Sequence, residues 1–377
     1  MSIRSSGEIV INLQSIINSF EIEGAVYNCE LYGSGHINDT YKVIVRDAHQ
    51  EYCYILQRIN HNVFKDVEGL MNNIRKVTEY IIDRLKDING DTTKALRLIH
   101  SRDGKNFVKD ALSNYFRCYN CIPGAVSIES VPTLKQFEIS GSGFGLFQKY
   151  LDGFPTSELI DTIPNFHNTE DRYNKFIAAV KADPLGRLAG VAEEVAFFVD
   201  RADYSSRVTR LIASGDIPLR VTHNDTKLNN MMIDLVEEKA VCAIDLDTVM
   251  AGSILYDFGD SIRAGANLGA EDEQDLSKVA FSLEHFEAFT AGFIGEVKDI
   301  LTPSEVENMA FGAILMTYEC GMRFLTDHLM GDTYFKIHRK GHNLDRTRTQ
   351  IKMVADMESV FDEMNAIVKK HSLGIQK

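Results

Sequence analysis

Residues 217–234, IPLRVTHNDTKLNNMMID, and residues 240–263, AVCAIDLDTVMAGSILYDFGDSIR, decide how this chain reads. Two short apolar runs, Ile217 to Val221 and Val241 to Ile244, each stop at polar residues that folding alone does not require. His223, Asp225, Lys227, Asn229 and Asn230 crowd the first loop, and Asp245 and Asp247 follow the second strand directly. Phosphoryl transfer needs such a set. The migrating group spreads negative charge, so the protein supplies metal ligands and a carboxylate beside the attacking hydroxyl, with little covalent help. Asp225 is the candidate proton acceptor, Asn230 and Asp245 are candidate magnesium ligands through hard oxygens, and Asp247 is a helper to a second ion.

Residues 223–230 fit the kinase catalytic-loop pattern H-x-D-x-x-x-x-N. Asp257-Phe258-Gly259 spells the protein-kinase metal-binding triplet, but it lies too far beyond Asn230. Asp245 ends the strand that follows the loop, so Asp257 is expected to hydrogen-bond the catalytic loop instead. VTHNDTKLNN, IDLDT and LYDFGDSIR resemble the aminoglycoside phosphotransferase and choline kinase superfamily, and within it the bacterial N-acetylhexosamine 1-kinases. The resemblance runs over essentially the whole chain. It implies ATP as co-substrate, Mg2+ as cofactor, and phosphorylation of the anomeric hydroxyl of N-acetylglucosamine or N-acetylgalactosamine.

Composition bounds the partners. At 377 residues with net charge −14, the chain lacks the basic excess that nucleic acid or an anionic membrane surface calls for. No apolar run approaches the roughly 20 residues of a membrane span, and the N-terminus does not read as a secretory signal. A cytoplasmic monomer acting on a small sugar and ATP is the expectation. Six scattered cysteines read as buried free thiols, and Cys118-x-x-Cys121 has no second pair to make a zinc site.

Strands are expected at Ala25 to Tyr32, Thr40 to Arg46 and Tyr52 to Ile59, with a helical spacing before them over residues 8–20. Residues 32–38, YGSGHIN, link the first two strands. Gly33 and Gly35 either serve turn geometry or bring backbone N–H groups to phosphate, the reading favoured by the catalytic motifs downstream. GHIN also resembles the N-acetylhexosamine 1-kinases, which implies that His36 faces the transferred phosphate or a substrate hydroxyl. The third strand carries Gln57 where the kinase-like pattern has a lysine. Period two allows only one of Gln57 and Arg58 to face the nucleotide, and Gln57 is taken as the nucleotide contact.

Asp66 is an N-cap candidate for a helix ending at Asn89-Gly90, followed by strands at Ala95 to His100 and Asn114 to Cys121. Tyr119 to Gly124 reads as the connection between lobes. Beyond it the spacing is mainly helical, over Phe137 to Leu151, Arg172 to Ala182, Ala192 to Ile212, Leu276 to Val297, Ser304 to Leu329 and a last helix from about Leu344. Gly141, Gly143 and Gly145 lower helix propensity, so close helix packing is expected there. Arg323 lies one turn after Glu319, as an ion pair would. ECGMRFL equally resembles the sugar-contacting helix of the N-acetylhexosamine 1-kinases, with Tyr334 as a second contact.

The fold class is therefore α+β, a two-lobed protein-kinase-like fold with a small antiparallel-sheet N-lobe, residues 1–121, and a larger, mostly helical C-lobe, residues 122–377. Choline, homoserine or an aminoglycoside is the alternative acceptor, and a non-catalytic pseudokinase is the rival outside enzyme chemistry.

Overall fold

A computed structural model describes residues 2–4, 10–33, 37–129 and 132–374. The chain divides into two compact units, residues 1–125 with 158–163, and residues 126–157 with 164–377. Together they give the kinase-like fold, an antiparallel-sheet N-lobe and a helical C-lobe.

In the first unit the strands Ala25–Leu31, Asp39–Arg46, Glu51–Ile59, Tyr115–Asn120 and Leu98–Ile99 lie side by side in that order, and Val108–Lys109 also pairs with Tyr115–Asn120. Alternation sorts the faces. Tyr41, Val43, Val45, Leu56, Phe116 and Cys118 enter one apolar core with Leu13, Ile16 and Ile17 of the N-terminal helix and with Phe20 just beyond it. Residues 10–12 are strand, paired with residues 2–4, and the helix runs over Leu13–Asn18 only. The apolar residues at 9, 11 and 13 have period two, which the helical reading of that stretch passed over. The helix Val67–Asp87 starts where Asp66 accepts a hydrogen bond from the Gly69 N–H at 2.9 Å. Its Asn73 side chain holds both the N–H and the C=O of Ile160, which fixes residues 158–163 to this unit.

One expectation fails here. Cys53 and Cys121 form a disulfide, so the six cysteines are not all free thiols. Tyr54 and Asn120 are ladder partners, and the next pair outward sets the two cysteine Cα atoms 5.3 Å apart, within bridging range. Cys118 belongs to the core and takes no part.

In the second unit the helix Leu134–Tyr150 packs against Leu283–Val297, and the glycines permit it. A Cβ on Gly141 would stand 2.4 Å from the Phe289 carbonyl oxygen, and one on Gly292 would stand 2.0 Å from that of Glu138. The helix expected over residues 192–212 is two, Ala192–Asp200 and Tyr204–Ser214, with Arg201 turning between them to meet Glu358. Pro303–Met330 carries a Thr302/Glu305 capping box and ends at Gly331, whose φ of +108° suits glycine. His342–Ser359 and Phe361–His371 close the chain. Among the described residues, no helix is long and apolar enough to cross a membrane.

Two small ladders frame the central loops. Arg220–Thr222 pairs with Met250–Gly252, and Met231–Asp234 pairs with Lys239–Ala243. Residues 223–230 and 244–249 are thereby brought side by side.

Candidate active site

The backbone of the first loop is held from helix Ile254–Gly265. Asp257 takes the N–H of His223 at 2.9 Å on one oxygen and that of Asn224 at 2.8 Å on the other, while Gln148 donates to it at 2.6 Å. Asp260 accepts from the Thr226 N–H at 3.1 Å, and Ser261 donates to the Thr226 carbonyl at 2.8 Å. Spacing of three and four residues puts these groups on one helix face. Asp257 thus braces the loop from behind, as its sequence position implied. Burial pushes the Asp257 carboxyl up, against the pull of His223 and the two N–H donors. Asp260 is held below the usual carboxylate range: burial works the other way, but the ion pair with Arg263 at 2.8 Å outweighs it.

His223 joins the two loops. Its Nε2 lies 2.8 Å from the Ile244 carbonyl, and its Nδ1 accepts the Asp225 N–H at 3.3 Å, which places the imidazole proton on Nε2. Phe144 and Phe147 pack on the ring, each at 5.7 Å between centroids. Asn230 likewise receives the Ile244 N–H on its carbonyl at 2.9 Å. Asp245 follows at once, with a left-handed φ of +61° that turns the chain out of the strand.

At the centre Asn230 Nδ2 donates to the Asp225 carbonyl at 2.8 Å and to Asp225 Oδ2 at 3.1 Å. Its amide nitrogen is thus turned toward Asp225, and the amide oxygen is turned away from it. Lys227 Nζ lies 3.2 Å from Asp225 Oδ2. The charges of Asp225 first, then Asp245 and Asp260, raise the Lys227 pKa against the effect of burial. Asp225 is in direct contact with this ammonium group, whose side chain remains 44% exposed. The sequence reading named Lys227 without a role; its place two residues after Asp225 was the available signal.

Among the described residues, no three His, Cys, Asp or Glu side chains form a metal cage. The oxygens of Asn230 and Asp245 nonetheless fit magnesium, which binds through one or two protein oxygens and completes its shell with substrate phosphates and water.

A second group of side chains surrounds Glu319. Its carboxylate is paired with His167 Nδ1 at 2.8 Å and accepts from Thr169 Oγ1 at 2.6 Å, so its main partner is His167 and not the Arg323 that its spacing suggested. Burial pushes the Glu319 carboxyl up, but His167, Arg323 and Thr169 together hold it below the usual range. Arg323 instead lies among rings, its guanidinium carbon 5.4 Å from the centroid of Phe166, 5.5 Å from Phe335 and 5.9 Å from Tyr334. Arg172 donates to the Phe166 carbonyl at 3.0 Å, and burial together with the charge of Arg323 pushes its pKa down. Asp327 builds the turn that presents Tyr334, accepting from the N–H groups of Thr333, Tyr334 and Phe335 at 2.8–2.9 Å. Arg323 and Tyr334 are thus brought together, while His167, Arg172 and Phe166 escaped the sequence reading.

In the first unit, Gly33 follows its strand with a φ of +80°. Gly35 and His36 lie outside the described residues. Gln57 shares a sheet face with Thr40 and Arg117, to which it is hydrogen-bonded. Arg58 alternates to the opposite face, where it pairs with Asp39.

The profile of the phosphotransferase enzyme family, APH, matches residues 28–288. The chain belongs to that family. Three solved structures share the fold of this phosphotransferase. An aminoglycoside phosphotransferase from Alicyclobacillus acidocaldarius superposes with a TM-score of 0.57 at 12% identity, covering 97% of this chain and 98% of its own. A choline kinase from Cryptosporidium parvum gives 0.53 at 11%, covering 91% and 92%. An ethanolamine kinase from Plasmodium vivax gives 0.51 at 16%, covering 89% and 83%.

Proposed function

We propose that this phosphotransferase moves the γ-phosphoryl group of ATP to the anomeric C1 hydroxyl of an N-acetylhexosamine, N-acetylglucosamine or N-acetylgalactosamine. The observation that carries the chemistry is the contact of Asp225 with both Asn230 and Lys227. Asp225 accepts the proton of the hydroxyl as its oxygen bonds to the γ-phosphorus and the bond to the leaving ADP oxygen breaks. An anomeric hydroxyl is more acidic than an ordinary alcohol, so a plain carboxylate suffices. Lys227 faces the same carboxylate and balances charge developing on the phosphoryl oxygens. A magnesium ion bound by Asn230 and Asp245 would neutralise phosphate charge. Gly33, Gly35 and Gln57 contact the nucleotide, and His36, Arg323 and Tyr334 contact the sugar.

Choline or an aminoglycoside is the alternative acceptor class. Arg172 and Arg323 both lie against Phe166, one at its carbonyl and the other beside its ring, so a carbonyl or hydroxyl oxygen is favoured over a cation in an acceptor bound beside this pair. Phosphorylation at C1 locks the ring, so the reducing-sugar signal should fall mole for mole as ADP appears. ADP formed from N-acetylglucosamine with the reducing end intact would move the reaction to another hydroxyl. No ADP with any sugar, but ADP with choline or an aminoglycoside, would replace the acceptor class.

A further inference from the structure

Thr40, Gln57 and Arg117 form a row across the sheet of the first unit. Thr40 is the ladder partner of Gln57, and Gln57 of Arg117. Opposed residues on antiparallel strands project to one face. The Gln57 amide ties the row together, its Nε2 donating to Thr40 Oγ1 at 3.0 Å and its Oε1 accepting from Arg117 Nε at 2.9 Å. Tyr41, Leu56, Phe116 and Cys118 occupy the opposite face with the apolar core, so the row lies on the face away from it.

The row starts beside the glycine turn. The Tyr32 N–H donates to the Thr40 carbonyl at 2.9 Å, and the chain then turns at Gly33, where a Cβ would meet nothing within 4 Å. Arg117 stands two strand spacings from Thr40, about 10 Å. A charged group is therefore set along the sheet from the turn that is read as the phosphate loop.

Arg117 is 0% exposed. A buried guanidinium needs partners: Arg117 donates to Gln57 and lies 5.4 Å from the Tyr119 ring centroid, so the row holds a full positive charge in place. Arginine suits the place because it stays protonated where a buried lysine readily loses its proton. Gln57 carries no charge, and Arg58 is engaged with Asp39 on the opposite face. Lys42, a second cation on the row's face, is half-buried with its ammonium 5.7 Å from the Tyr32 ring centroid.

We infer that Arg117 supplies to the phosphates of the nucleoside triphosphate the positive charge that the uncharged Gln57 cannot. The assignment rests on the nucleotide reading above and holds whichever acceptor is used. Coulombic attraction from a buried charge acts over several ångströms, so direct contact is not required.

Binding of Mg-ATP and of adenosine to the full chain, without acceptor, tests this. Arg117→Met should weaken Mg-ATP binding roughly 10²-fold, whereas adenosine, which has no phosphate, should change by less than about threefold. Returning the charge to the neighbouring strand, in Gln57→Lys with Arg117→Met, should recover about tenfold or more. Arg58→Ala should bind as the wild type does. Unchanged Mg-ATP affinity in Arg117→Met, an equal loss for adenosine, a loss confined to Lys42→Met, or a double variant without recovery would each overturn the assignment. If Arg117→Met does not fold, the double variant decides alone: Mg-ATP affinity within about tenfold of wild type supports the assignment, and a larger loss or no folding rejects it. A wild-type chain that binds no Mg-ATP would instead overturn the nucleotide reading on which this one rests.

Discussion

The imidazole of His167 meets Glu319 at 2.8 Å through Nδ1, and its Nε2 lies 3.0 Å from the Asn224 carbonyl. One buried ring therefore joins the helix that carries Arg323 to the residue preceding Asp225. That helix and the loop around Asp225 are thus joined by hydrogen bonds as well as by packing.

Glu319→Gln tests this link through pH. The Glu319 pKa is lowered in the folded chain, so its stabilising contribution is complete above its ordinary value near 4.5 and disappears as pH falls through the lower folded value. The difference in urea-unfolding free energy between wild type and Glu319→Gln should be constant near neutrality and shrink below that value. A difference that grows on acidification would show the carboxyl to be raised instead.

Asp225→Asn should lower kcat by roughly 10²–10⁴-fold, the usual worth of a positioned base, with nucleotide affinity nearly intact. Steady-state ADP release combined with equilibrium nucleotide binding separates the two quantities. Turnover at the wild-type rate would remove Asp225 from the chemistry.

Asp245→Ala and Asp257→Ala should fail differently. The first should abolish magnesium-dependent nucleotide binding while the chain stays folded, since Asp245 is exposed at the end of its strand. The second strips the acceptor from the buried N–H groups of His223 and Asn224 and should cost roughly 2–4 kcal/mol in chemical unfolding. Intact Mg-ATP binding in Asp245→Ala, together with its loss in a folded Asp257→Ala, would exchange the two roles.

Asp327→Ala should raise the KM for the acceptor with little change in the KM for ATP, because the turn holding Tyr334 against Arg323 loses three backbone hydrogen bonds. Arg323→Met should act in the same direction. Equal effects on both substrates would indicate general destabilisation.

What the sequence determined by itself was local. The residues of the two central loops, the Asp66 cap, the stop at Gly331 and the need for small residues at Gly141 and Gly143 follow from spacing, period and side-chain size, all set within a few residues. Chain order also pointed to Asp257 as a hydrogen-bond partner of the loop, and it accepts the N–H groups of His223 and Asn224. Tertiary structure decided which distant groups meet. Spacing along the helix offered Arg323 to Glu319, yet the buried carboxylate took His167, 152 residues away, and left Arg323 to three aromatic rings. Cys53 chose Cys121 over any nearer thiol because strand register set their Cα atoms 5.3 Å apart. Arg117 became the neighbour of Gln57 by the same register. Periodicity fixes the face on which a side chain stands, whereas its partner is chosen by the packing of elements far apart in sequence, through burial and hydrogen-bond satisfaction that no short window contains.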